Sequence, residues 1–517
     1  MASIKRFSTI LLTTAGCAAL AACGADSTAQ LQNPGNTGSN PGISSTSSTG
    51  GSTTTSSTGG VVANCPVGTT VVTVGTEQHC RLPARINGAL TLAPGNIYQI
   101  NDRTDVGSDV TAGGIAGTLT ILPGTTVYSS NQNAYLVVNK GSRLVADGNV
   151  SQPIIFTSAA DLGYAAALGL PSRPAYRGIT TSDGNGTTRG EWGGIVVNGR
   201  AATNNPTRSG EGSTGTIGSP AATALNADDS GILRYVQIRY AGFDVGLATG
   251  GAVGENELNG IAFQGVGSGT TIDYVQVHQA YDDCFEFFGG TVNAKHLVCD
   301  GSSDDSFDWT DGYVGNLQFL LSVQNPNNAT GDNCIEADNL SGNNEALPRS
   351  KPTISNLTCV GTSGSTGITG SGGTTRFRAG TGVNLYNTVI ARSRVAAFEI
   401  DGTSSYSQAT GVNAGGILLR SIYITSDIPL GTAAEDAGLS AFFTAQSVNN
   451  LIGNNAASTL QAQVTGGVRY VNGTSEVARP SFALPAGFFT AVTYVGAVPS
   501  TSANWTLGWT EFLNRGS

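Results

Sequence analysis

The chain has 517 residues, only 12% of them charged, with 72 glycines and one methionine. Its 35 acidic residues outnumber 25 basic ones, for a formal net charge of −10. That balance argues against nucleic acid or an anionic lipid surface as a partner.

The first residues read as an address. Lys5 and Arg6 precede Ile10 to Leu20, an apolar run too short to span a bilayer, so residues 1–22 are expected to be a signal peptide. Leu20-Ala21-Ala22-Cys23 then matches the bacterial lipobox. It predicts cleavage before Cys23 and acylation of its thiol. Gly24 stands where an inner-membrane retention signal has Asp. The expected location is therefore the outer membrane, with the body periplasmic or displayed outside the cell. Beyond the lipidated Cys23, the segment to residue 60 is almost all Ser, Thr, Gly, Asn, Pro and Ala. It has too little apolar surface to offset its ordering entropy and reads as a tether of roughly 30 Å reach.

The body is rich in Val, Ile, Thr and Tyr, with Gly, Asn and Asp between the runs, which predicts strands and tight turns. Residues 61–94 are expected to form an N-terminal cap, 95–430 stacked coils, and 431–517 a C-terminal cap. Arg85 to Ala159 already carries short strands such as Gly117–Leu122, Ala134–Val138 and Pro153–Ser158. Residues 160–190 and 201–229 are polar and irregular, so they are read as loops off the coils. The one helical pattern is Ala434–Asn450. The tail with Trp505, Trp509 and Phe512 is expected to lie over the last coil, where an open solenoid end would expose strand edges. Six cysteines remain after Cys17 and Cys23. Cys65 and Cys80 flank a short strand-like segment and are the expected local disulfide. Pairing of Cys284, Cys299, Cys334 and Cys359 stays open, and no CxxC spacing suggests zinc.

From Asn259 to Gly402 a pattern repeats: a turn of acids or amides, a large apolar residue, then a polar one. The copies contain Phe263-Gln264, Phe285-Glu286, Phe307-Asp308, Ile335-Glu336, Phe377-Arg378 and Phe398-Glu399. A spacing near 22 with loop-sized excesses marks a solenoid.

Several strings resemble a known group of exported bacterial surface proteins: Trp192-Gly193-Gly194-Ile195-Val196-Val197-Asn198-Gly199-Arg200-Ala201, Tyr235-Val236-Gln237-Ile238-Arg239-Tyr240-Ala241-Gly242, Gly265-Val266-Gly267-Ser268-Gly269-Thr270 and Asp282 through Leu297. The resemblance covers residues 95–340. It implies an all-β fold, a right-handed parallel β-helix, and a surface location, to which the reading of the tail adds a C-terminal cap. It implies no activity, since none is established for that group.

Alternate strand residues share a face. Aligning the copies on their apolar members stacks Phe263, Phe285, Phe307, Ile335, Phe377 and Phe398 inside, with Phe287 and Trp309 as a second inner column. Gln264, Glu286, Asp308, Glu336, Arg378 and Glu399 then point outward, roughly 4.8 Å apart. Adjacent carboxylates there repel by about 1 kcal/mol even in water. Arg378, a raised pKa on Asp308 or a bound cation would relieve that.

The turns add Asp282, Asp283, Asp304, Asp305, Asp332 and Asn333. Three readings are open. Asp and Asn cap tight turns. Oxygen ligands on successive levels suit Ca²⁺, for which Asp282, Asp304, Asp308, Asp332 and Glu336 are the candidates. Paired acids can also cleave glycans, for which Asp283, Asp305 and Glu286 are the candidates. The paired aspartates faintly resemble those of polygalacturonase-like hydrolases, but that family's Gly-His-Gly and Arg-x-Lys coils are missing. Phe288, Tyr313 and Arg378 are candidate ligand contacts. His296 is expected to be structural and outward-facing. No nucleotide is expected, since Gly265-x-Gly267-x-Gly269 lacks the helix a phosphate loop needs. The sequence thus favours a non-catalytic surface protein binding a glycan, polymer or partner. A carbohydrate-active hydrolase or lyase, or an architectural adhesin, is the alternative.

Overall fold

A computed structural model describes residues 64–170, 189–245, 256–325, 331–363, 371–410, 415–431, 438–446, 448–463 and 469–511. Cys23 and the tether lie outside these residues. The body is a parallel β-helix of two large sheets, one of sixteen strands and one of ten. It starts with an antiparallel hairpin, Thr70–Val74 against Glu77–Arg81, stapled by the Cys65–Cys80 disulfide. The second hairpin strand hands over to the parallel stack at Cys80↔Tyr98. Parallel coils already include Gly88–Leu92 and continue to Leu451–Gly453, so the stack runs past both ends of the 95–430 span. Among the described residues no helix is long and apolar enough to cross a membrane.

Early coils have three short strands, as in Gly117–Ile121, Thr126–Ser129 and Leu136–Val138. From Gly231–Arg239 onward, two of these faces merge into one strand of eight or nine residues. A left-handed residue bends each merged strand: Tyr235, Tyr274, His296, Phe319, Asn356, Asn387 and Ser421, with φ between 50° and 62°. Such a conformation costs a non-glycine residue roughly 1 kcal/mol. Stacking offsets it, because the bends fall in register and build a column. Its ring centroids are 4.4 Å apart from Tyr235 to Tyr274, 4.1 Å from Tyr274 to His296 and 4.8 Å from His296 to Phe319. His296 is thus one ring of a stack, with Nδ1 2.7 Å from Asp273.

The tail covers this column rather than the last coil. Gln318 and Thr490 exchange two 2.8 Å hydrogen bonds, Asn356 donates to the Tyr494 carbonyl at 2.9 Å, and the Glu511 amide donates to Gln276 at 2.8 Å. Side-chain amides act here as backbone surrogates, strapping the tail along the flank back to coils far upstream. The last coil is instead covered by the helix Leu439–Ala445, whose Phe443 meets Phe398 at 6.4 Å. A second helix, Gly402–Thr410, was not expected, because its Ser- and Thr-rich sequence has weak helix propensity. Trp509 is buried edge-on against Tyr235 and Tyr274. Trp509→Ala should cost about 3–5 kcal/mol in a denaturant titration. A loss below about 1 kcal/mol would mean that the strap does not hold the flank.

The ten-stranded sheet carries the acidic face. Its register stacks Ile261, Phe285, Phe307, Ile335, Thr375 and Phe398 in one inner column and Phe263, Phe287, Trp309, Ala337, Phe377 and Ile400 in the other. Phe263 and Phe377 therefore belong to the second column, two residues from the expected alignment. Two further disulfides, Cys284–Cys299 and Cys334–Cys359, tie turn to long strand within a coil. In the coil between them the stacked positions are Ser306 and Ser322, whose hydroxyls hydrogen-bond at 2.7 Å.

Candidate functional site

The outward column between the two inner ones reads Ala262, Glu286, Asp308, Glu336, Arg376 and Glu399. Arg376, not Arg378, is in register with the acids. Arg376 pairs with Asp401 and lies 3.8 Å from both Glu336 and Glu399. Arg378, two residues further along the same coil, is held by Glu336 and Asp338, the latter at 3.0 Å. Both guanidinium groups are thus committed to carboxylates.

The turn acids divide by role. Asn259 accepts from the Asp283 amide at 3.1 Å, Asp283 from the Asp305 amide at 2.8 Å, and Asp305 from the Asn333 amide at 2.6 Å. Each side chain caps the backbone of the next coil, and Asp332 does the same for Ser371 at 2.8 Å. Asp283 and Asp305, the candidate catalytic pair, are buried turn caps. Asp282, Asp304 and Asp308 make no such bond; their carboxylates have no hydrogen bond or ion pair among the described residues. Oxygens of Asp282, Asp283 and Asp304 come within 4.8 Å of one another, as do those of Asp283, Glu286 and Asp308. Those groups have the donor type and crowding that a hard cation accepts. Asp332 and Glu336 belong to neither.

Crowding and burial act together on these acids. Burial is the main cause that pushes Glu211, Asp304 and Glu336 up to about 7, and neighbouring carboxylates add to it. Asp282, Asp283, Glu286, Asp305 and Asp308 are raised well above the usual carboxylate range for the same reasons. Asp308 is thus held toward its protonated form.

The loop read as 201–229 folds back over this face. The Asn204 amide donates to the Asp311 carbonyl at 3.0 Å, and its side chain reaches Asn339 at 3.0 Å. Arg208 pairs with the fully buried Asp311 at 3.2 Å and lies 4.8 Å over the Phe288 ring. Asn259 donates to both Glu211 and Glu286. Between this loop and the 338–341 turn lies a cavity of about 370 Å³, lined by Asn205, Arg208, Glu286, Asp308, Thr310, Asp338, Leu340 and Ser341. That volume suits a small-molecule or sugar ligand.

The aromatic candidates do not reach it. Phe288 points away from the tube but is fully buried under the loop, in a cluster with Val196, Ala262, Ile217 and Phe243. Tyr313 is buried inside, stacked on Phe287 at 4.7 Å and donating its hydroxyl to the Val292 carbonyl at 2.9 Å. Neither ring can stack on a sugar. Arg208, Glu211, Asp311 and Asp338 were not singled out as site residues by sequence reading, because their place depends on how loops fold back. Arg208→Ala would leave Asp311 buried without its cation and should cost about 2–4 kcal/mol by urea titration. An unchanged midpoint would show that the loop does not depend on this pair.

The chain matches the family described as a pectate-lyase like beta helix domain over residues 84–170 and 163–510. It belongs to that family. In this pectate-lyase-like β-helix the matched span holds every rung of the acidic face and both walls of the cavity. A search of curated proteins and one of solved structures each return no match.

Proposed function

We propose that this β-helix is a surface-anchored protein that binds a glycan or other polymer in the cleft between the Arg208 loop and the Glu286/Asp308 face. The observation that carries this reading is the cavity itself. A purely architectural solenoid needs turn caps such as Asp283 and Asp305, but gains nothing from an unpaired acid such as Asp308 beneath a folded-back loop. Cys23 as a lipid anchor and residues 24–60 as a spacer complete the reading, placing the body at the outer membrane. A Cys23→Ser chain should lose palmitate labelling and membrane association; retention of both would remove the anchor.

The test of binding is a soluble body, residues 24–517, incubated with a polysaccharide panel, with retention and product size followed by chromatography. Retention of an intact glycan supports the binding module. A second reading, a hydrolase or lyase, is favoured by one observation: Glu286 and Asp308 place carboxylate oxygens within 4.8 Å of each other. Two close acids whose proton affinity is raised by burial can supply a general acid. Chain shortening that is lost in Glu286→Gln would establish that reading. Neither retention nor shortening would leave an adhesive or architectural protein.

A further inference from the structure

Positive charge near the cleft is already spent. Arg208 is tied to Asp311, Arg378 to Glu336 and Asp338, and Arg376 to Asp401. Negative charge is not. Glu286 is only 7% exposed, lines the cavity, and has one carboxylate oxygen bonded, to Asn259. Asp308 also lines the cavity, has no hydrogen bond or ion pair among the described residues, and lies with the carboxylates of Asp283 and Glu286. A buried carboxylate without a partner is costly, and a cationic group bound beside it would offset that cost.

Resting on the cleft as the binding site, we propose that its ligand is a polysaccharide carrying primary amino groups, a polymer of deacetylated hexosamine, with one ammonium seated among Asp283, Glu286 and Asp308. Three observations favour this over other glycans. The three carboxylates each place an oxygen within 4.8 Å of the others, and a primary ammonium has three donors to share among them. The cavity of about 370 Å³ is far larger than a bare ion, with room for a sugar ring. Its rim supplies Asn205, Thr310 and Ser341 for hydroxyl groups and Leu340 for a ring face. A polyuronide, by contrast, would add further carboxylates to a face already crowded with acids, with every nearby arginine committed and no cation of its own to favour their ionised form.

The experiment measures binding of glucosamine oligomers, their N-acetylated counterparts, oligogalacturonate, a neutral glucan and poly-lysine, each in chelator and in Ca²⁺. The expected result is glucosamine binding in chelator, at least about tenfold tighter than the acetylated oligomer, and weakened severalfold in roughly 0.5 M salt. Glu286→Gln should weaken it by at least about tenfold. Asp308→Asn, nearer the open cleft, gives the same readout if Glu286→Gln does not fold. Equal binding of the acetylated oligomer, or a Ca²⁺-dependent preference for oligogalacturonate, would overturn the amine and leave the glycan cleft standing. Poly-lysine binding as tightly as the glucosamine oligomer would overturn the sugar. No binding of any glycan would overturn both.

Discussion

Asp305→Ala is expected to destabilise the β-helix by about 1–3 kcal/mol, whereas Asp305→Asn is expected to leave it at least as stable at neutral pH. The alanine removes the acceptor of the Asn333 amide, a buried donor then left without a partner. Asparagine keeps an oxygen in place and discards a charge that burial and the carboxylates around Asp305 disfavour. The molecule already contains the comparison, since Asn259 holds the rung before Asp283 and accepts from its amide in the same way. Asp283 should respond as Asp305 does, through the Asp305 amide. Asp308 caps nothing, so Asp308→Asn should stabilise the fold in chelator. Denaturant midpoints of these five variants decide this. An alanine as stable as wild type at Asp305 would remove the capping ladder. An unstable Asp308→Asn in chelator would mean its carboxylate makes a contact that the fold requires.

The melting temperature should be higher at pH 5 than at pH 8 in chelator, the reverse of ordinary acid denaturation. Unfolded aspartate and glutamate titrate near pH 4. Folded Glu211, Asp304 and Glu336 titrate at about 7. Between those values the folded chain holds more protons than the unfolded one, so stability falls as pH rises from about 4 to 7. The other raised acids, Asp282, Asp283, Glu286, Asp305 and Asp308, act in the same direction. Each tenfold change in proton affinity is worth about 1.4 kcal/mol, so the summed effect should be several degrees. Thermal melts across pH in chelator give the curve, and repeats in Ca²⁺ give its cation dependence. A cation that occupies the Asp282 or Asp308 group would raise the melting point at pH 8. A melting point that rises from pH 5 to pH 8 in chelator would contradict the crowded, buried carboxyl face.

Sequence reading captured the coils because alternation of large apolar and polar residues is the direct imprint of a tube wall. It misplaced Phe263 and Phe377 for a specific reason. Ile261-Ala262-Phe263 and Thr375-Arg376-Phe377 each hold their aromatic ring at the second inward position, while Phe285-Glu286-Phe287 offers rings at both. A two-residue slip keeps the same faces inside, so hydrophobicity cannot detect it. That slip exchanged Arg376 and Arg378 on the acidic column. The acids themselves were visible, but not which of them were spent. Asp283 and Asp305 each reach an amide of the next coil whereas Asp282 and Asp304 reach none, a matter of turn geometry. The tail's aromatic residues were visible too, yet Trp509 packs against Tyr235 and Tyr274 rather than on the end of the stack. That contact is set by long-range amide pairing, which leaves no periodic trace.

The proposed ligand site lies between the Arg208 loop and the Glu286/Asp308 face. Hydrogen exchange with and without a bound glucosamine oligomer tests it most directly. The expected result is slowed exchange confined to residues 205–211, 283–288, 307–310 and 338–341. Protection along the tail strap at 490–511 instead, or none over the cleft, would contradict it.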